Sequence, residues 1–380
     1  MLNRIREKLK NRKVRYVITA AAVVLLAVGV IFLTNALKQR TYSSFRVVLA
    51  EERIDSVSRC GYTPDGVVRY SLDGAALINQ KLETVWSVTY AMSDPRIDVC
   101  GKQVLLYDRM GTAVYLYDSK KQRGAFETPL PILAACVSEK GTAAVILKDG
   151  EKTELMYYDK SGSLIAGGES SITSPGYPVA LSITDDGCGL AVAYMTVTDG
   201  NIGSLVRFYD FRQGKRDGDT LAGEIPFSGV FVPDVRYLNG DECVIFRDDG
   251  FTVCRGIANP KETKSVDFDE EIVSVFRDGS HMGFVFRSTE KGHRFLVNMY
   301  STSGNLQSSM YIDHSYDRVH VCGDQIIFSD SANLSIYSTR GVCRYQGKLR
   351  DGNIRDVLKI GRNRFFVLTD QAAEVLELVK

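Results

Sequence analysis

The sequence holds one tryptophan, four histidines and nine prolines in 380 residues. A single Trp86 cannot serve an architecture whose modules each dock through a tryptophan. The histidines, His281, His293, His314 and His320, fit no HExxH spacing, so no metal is expected from them. No CxxC pair exists, which removes zinc-ribbon and thioredoxin-like chemistry. GxSxG, the phosphate-cradling loop and the dinucleotide fingerprint are missing as well. Asp185-Asp186-Gly187 and Asp248-Asp249-Gly250 lack the alternating oxygens of a calcium loop and read as hairpin turns. No catalytic residue, cofactor or metal is assigned.

Charge is absent in one place. Residues 16–37 carry none, and their only polar side chains are Tyr16, Thr19, Thr34 and Asn35. About 20 apolar residues in a helix cross a hydrocarbon core about 30 Å thick. Before this run stand seven basic residues, from Arg4 to Arg15, against Glu7; after it stand Lys38, Arg40 and Arg46. The heavier basic side stays in the cytoplasm. The expectation is a basic cytoplasmic tail over 1–15 and a transmembrane helix over 16–37 in contact with the lipid bilayer. A linker over 38–44 and an extracytoplasmic domain over 45–380 follow. The run exceeds the 7–15 apolar residues of a cleaved signal peptide, so an uncleaved signal anchor is preferred. The basic tail is a topology signal rather than a nucleic-acid site. The remainder of the chain is mildly acidic, which disfavours a polyanion partner.

Helical periodicity is the next absence. Beyond Lys38 the chain consists of short β-branched and aromatic runs broken by Asp-Gly, Asn-Gly and Ser-Gly. One phrase recurs: Tyr, then Asp or Ser, then usually Gly a few residues on. It appears at Tyr70, Tyr117, Tyr158, Tyr209, Tyr300 and Tyr337, with a decayed copy near Cys254-Arg255-Gly256. The spacing is about 44 residues, the period of propeller blades. A short strand, a tight polar turn and an apolar strand precede each copy. With a unit around Cys60-Gly61 the count favours an all-β propeller of eight four-stranded antiparallel blades. It falls to seven if the first unit forms only part of a blade.

The last unit supplies three strands, at about 356–360, 364–369 and 374–379. The strand at 45–50 is therefore expected to complete it as a clasp, because an open sheet edge is costly.

A single N-terminal span followed by degenerate Tyr-Asp-x-x-Gly blades resembles an uncharacterised family of membrane-anchored β-propeller proteins from Gram-positive anaerobic bacteria. The resemblance covers the whole chain and implies no site residue. It differs from the WD40 class, since no Trp-Asp dipeptide occurs. It also differs from quinone-type propellers and their assembly-factor relatives, since per-blade tryptophan docking is absent.

Eight cysteines remain to be explained. Cys60, Cys100 and Cys322 each precede a glycine at what reads as one place in three units, and Cys136 lies close to it. Small, buried, free thiols where strands crowd the axis are the favoured reading. Cys243 and Cys254 are a candidate disulfide. They fall opposite each other if Asp248-Asp249 forms a two-residue loop, and out of register if Asp249-Gly250 forms the turn.

The expected function is non-enzymatic: an anchored module binding or scaffolding an unknown cell-envelope protein or glycan. Segments 194–204 and 211–226 are candidate rim loops. The alternative is a hydrolase or lyase acting on surface polysaccharide from an axial site. Acidic or histidine side chains in one axial pocket would favour the enzyme; an axis of Cys, Ala and Val would not.

Overall fold

In the computed structural model, residues 23–26, 41–52, 59–150, 152–171, 175–198, 200–212, 220–349, 353–370 and 372–380 are described. The span expected over 16–37 lies outside them, except for residues 23–26, which are helical and exposed. No helix among the described residues is long and apolar enough to cross a membrane.

Among the described residues, thirty-two strands form eight sheets of four. The first strands of blades 1 to 8 are Arg59–Thr63, Pro95–Cys100, Ile132–Val137, Tyr177–Ile183, Asp234–Asn239, Ile272–Arg277, Arg318–Cys322 and Ile354–Lys359. Each lies innermost, and the blade then steps outward by antiparallel pairing. A single blade cannot bury both faces, so apolar clusters form between neighbours. Leu77 and Val68 of blade 1 meet Val104 and Leu106 of blade 2, and such clusters follow between each successive pair. The eighth joins the last blade to the first, with Val67 against Phe366, Leu368 and Val375. The ring is therefore closed, with eight blades.

The clasp forms. Ser44–Glu52 pairs antiparallel with Ala372–Val379, from Ser44 opposite Val379 to Glu52 opposite Ala372, with a bulge between Val47 and Leu49. Arg46 Nη2 lies 2.7 Å from Glu377 Oε2 across this pairing. Phe45 packs edge-on against Tyr345 of blade 7, with ring centroids 6.3 Å apart. The outermost strand of blade 8 is thus the first strand of the chain.

The repeated phrase has a physical cause. In blades 2 and 3 its tyrosine ends the third strand and stacks on an aromatic ring from the preceding blade: Tyr117 on Trp86 at 4.2 Å and Tyr158 on Phe126 at 4.3 Å. The Asp or Ser caps the turn that follows. Asp118 Oδ1 accepts the N–H groups of Lys120 and Lys121, and Ser338 Oγ accepts that of Val342. The glycine of the turn takes a left-handed backbone, φ 87° at Gly341, which other residues adopt only with strain.

Three expectations need correction. Tyr70 ends the second strand of blade 1, not the third, because Ser71 caps a shorter turn at that corner, accepting Asp73 N–H at 3.3 Å. Cys60-Gly61 lies within the first strand, whereas Cys100-Gly101 and Cys322-Gly323 lie at its end. Segment 194–204 is not a loop. Gly189–Thr198 and Asn201–Asp210 pair without interruption from Gly189 opposite Asp210 to Thr198 opposite Asn201. Of segment 211–226, residues 213–219 lie outside the described ones, and the strand Leu221–Phe227 takes up its end.

Candidate functional site

The innermost strand of a blade has a neighbour on one side only. Its other edge faces the axis, where backbone N–H groups need partners. Side chains of the preceding blade supply several. Asp98 Oδ2 of blade 2 accepts Val137 N–H of blade 3 at 2.8 Å. Ser182 Oγ of blade 4 accepts Tyr237 N–H of blade 5 at 3.0 Å, and Asp278 Oδ2 of blade 6 accepts Gly323 N–H of blade 7 at 2.9 Å.

Around these strands lies an axial cavity of about 560 Å³, lined from blades 2 to 7. Valines and thiols contribute part of its wall: Val99, Val137, Val275, Val319, Val321, Cys100 and Cys136. Charged groups contribute the rest: Asp98, Asp185, Asp278, Arg236, Arg277 and His320. Both halves of the sequence-based criterion are therefore met at once.

The charges brace the ring. Arg236 of blade 5 places Nε 3.2 Å from Asp234 Oδ1 and Nη1 3.6 Å from Asp98 Oδ1 of blade 2. That contact passes over blades 3 and 4, whose inner strands carry the small residues Ala134, Ala135, Ala180 and Ser182. Cys100 Sγ reaches Asp185 Oδ1 at 3.5 Å, from blade 2 to blade 4. Arg277 Nη2 of blade 6 lies 2.9 Å from Asp234 Oδ2 and caps the Phe246 ring at 5.4 Å. His320 Nε2 of blade 7 lies 2.9 Å from Asp356 Oδ1 of blade 8.

Burial works against the charge of Arg236, but Asp234 and Asp98 outweigh it and hold its pKa above the ordinary value. Arg277 goes the other way. Its burial, reinforced by the like charge of Arg236, outweighs Asp234 and lowers it. The thiols are pushed up: Cys100 to about 12 by burial and then Asp185, Cys60 to about 12 by burial and then Asp356. Burial also raises Cys136 well above the thiol range. Such thiols are protonated near neutrality and make poor nucleophiles. Asp98 and Asp278 are already engaged with backbone N–H groups. The cavity thus offers directional donors and acceptors rather than a nucleophile with its base.

Of the four histidines, His320 lines this cavity. His281 Nδ1 lies 3.3 Å from Asp278, His293 Nδ1 lies 2.5 Å from Asp313, and His314 stacks on Tyr337 at 5.9 Å. No group of three or more His, Cys, Asp or Glu among the described residues could hold a metal ion. Cys243 and Cys254 stand directly opposite each other, with Asp248-Asp249 as the two-residue loop, and both are buried free thiols between blades 4 and 5. The axial arginines were not found from sequence. An isolated Arg in a strand carries no local signal, and only ring closure brings Arg236 to Asp98.

The model of the Family of unknown function (DUF5711) matches residues 38–378. No curated protein matches the chain in sequence. Among solved structures it is similar to BamB from Moraxella catarrhalis, with a TM-score of 0.52 at 11% identity, covering 88% of this chain and 100% of that one. It is also similar to a structure of the eukaryotic initiation factor, with a TM-score of 0.51 at 11% identity over 84% of this chain and 83% of that one. Likeness at this identity speaks for the propeller fold alone.

Proposed function

The chain belongs to the DUF5711 family, and on that premise we propose that it is a membrane-anchored, extracytoplasmic propeller that binds or scaffolds a cell-envelope partner. The observation that carries this is the clasp. Ser44 joins the ring opposite Val379, on the rim that also holds the 360–363 turn. Residues 38–43 reach at most about 20 Å, so the uncharged run at 16–37 keeps that rim close to the bilayer. The opposite rim then faces away.

Charge supports this orientation. The opposite rim carries Asp248, Asp249, Asp269, Glu270, Glu271 and Asp330 in its turns and connections. Arg109, Lys291 and Arg294 are its cations among the described turn residues. Anionic headgroups repel such a surface. Turn residues of all eight blades converge there, which suits it to an extended partner.

Placement is tested with Asp73→Cys, an exposed position on the far rim, in a Cys343→Ser background that is itself the unlabelled control. A membrane-impermeant maleimide should label position 73 on intact cells; labelling only after lysis overturns the extracytoplasmic reading. Binding is tested by incubating the full-length chain in nanodiscs with solubilised cell envelope. Saturable retention of one protein or glycan supports the proposal. Shortening of a retained glycan would replace it with the hydrolase or lyase.

A further inference from the structure

The geometry points to a contact between one sector of the bilayer-facing rim and anionic phospholipid headgroups, an inference that rests on the anchored reading above. The sector is formed by blades 7 and 8, where the chain joins the ring. The 339–342 turn of blade 7 exposes Arg340 and Val342, and the 360–363 turn of blade 8 exposes Arg362. Between them sits Asp324, with Arg344 Nη2 at 3.0 Å and Lys359 Nζ at 3.1 Å. One carboxylate faces two cations. Arg340 and Arg362 form no ion pair among the described residues, so the sector carries surplus positive charge.

Two hydrogen bonds hold this sector to the incoming chain. Tyr42 N–H donates to Arg344 O at 2.7 Å, and Ser43 N–H donates to Val379 O at 3.2 Å, next to the Ser44–Val379 pairing. Lys38 and Arg40 add two cations in the preceding segment. Farther round the same rim the described turns carry Asp185 and Asp186 on blade 4 and Asp241 on blade 5, with Lys102, Lys120 and Lys121 on blade 2, while Asp278 of the adjoining blade 6 is engaged with Gly323 N–H. The tethered sector thus carries surplus positive charge, while the turns of blades 4 and 5 carry negative charge. Cations within a Debye length of an anionic surface, about 8 Å, are drawn to it, while the acidic side is repelled. The tether lets the basic sector come within that range, and attraction then draws the ring onto its tethered side with the apolar tip of Val342 turned to the headgroups.

The test uses the full-length chain in nanodiscs of phosphatidylcholine alone and of phosphatidylcholine mixed with phosphatidylglycerol, read by amide hydrogen exchange. The 339–342 and 360–363 turns should exchange at least about threefold more slowly in the anionic discs. High salt and the double variant Arg340→Gln, Arg362→Gln should both remove the protection. The far-rim turn at Asp248 and Asp249 should exchange equally in both discs and in the variant, which reports an intact fold. Equal exchange of the two basic turns in both lipids overturns the contact and leaves the anchor standing. A chain that enters neither disc overturns the anchor and the contact together.

Discussion

Gly283→Ala is the sharpest test of how these blades are packed. Gly283 stands opposite Phe276 in the pairing of Ile272–Arg277 with His281–Arg287. A Cβ at 283 would lie 2.1 Å from Phe276 Cζ and 2.3 and 2.6 Å from its two Cε atoms. The ring lies flat over the glycine and is 4% exposed, packed with Val285, Val297 and Phe328 between blades 6 and 7. Making room needs a shift of more than an ångström, which the cluster resists on one side. Overpacking of this kind costs about 1–3 kcal/mol, and the buried surroundings place it in the upper half. Phe276→Ala alone should cost about 3–5 kcal/mol through the cavity it leaves. With the ring gone, Gly283→Ala should be neutral or stabilising by about 0.5–1 kcal/mol, because glycine disfavours a strand interior. The double-mutant cycle should therefore show about 2–4 kcal/mol of coupling. Urea denaturation midpoints at constant m read it. Equal costs of Gly283→Ala in both backgrounds would refute the stacked-ring reasoning.

Two further outcomes follow from the charges and thiols. Cys343 is the exposed cysteine of the eight, so maleimide should modify it first, while Cys136, Cys243 and Cys254 react only on unfolding. Comparable labelling of Cys136 in the native chain would contradict the burial that raises it. In denaturant without reductant all eight thiols should titrate, and a deficit of two would mean that Cys243 and Cys254 are joined. Asp94 is surrounded by Arg59, Arg96 and Arg109 at 3.7, 3.1 and 2.6 Å. Burial pushes its carboxyl up, but Arg109 and Arg96 outweigh that and hold it below the ordinary value. A depressed folded value contributes stability above the unfolded pKa and loses it as pH falls through the folded one. Asp94→Asn should thus cost at most about 1 kcal/mol at neutral pH after solvent screening. The gap should close as pH falls below the ordinary carboxylate range and through the lower folded value; a gap that persists in stronger acid would assign the loss to packing.

The ring was legible because its recurring phrase is a local device. Tyr117, Tyr158, Tyr300 and Tyr337 each end a third strand, and the Asp or Ser that follows makes its bonds within four residues. Such chemistry survives in a sequence whatever the partners do. The same locality misled at Tyr70, where a shorter turn built on Ser71 serves another corner. Segment 194–204 misled for a different reason. Asp199-Gly200 marks a turn, but nothing local says how far the ladder extends on either side, and Met195 to Thr198 pair to the very tip. The clasp was legible from a count of three strands at the end and one spare at the beginning. The axial charges were not, since Asp98 and Arg236 lie on blades 2 and 5 and meet only across the axis.

Joining the first strand to the last has a consequence for biosynthesis. Arg46 meets Glu377, 331 positions later. At about 5–20 residues per second, a ribosome needs on the order of 20–60 s to deliver that partner. During this interval the sheet edge of Ser44–Glu52, with Val47, Val48 and Leu49 uncovered even in the finished protein, has nothing to pair with. The first of the described strands to emerge is the last to find its place, and premature termination anywhere before the final strand leaves the circle unclosed with an unpaired ribbon.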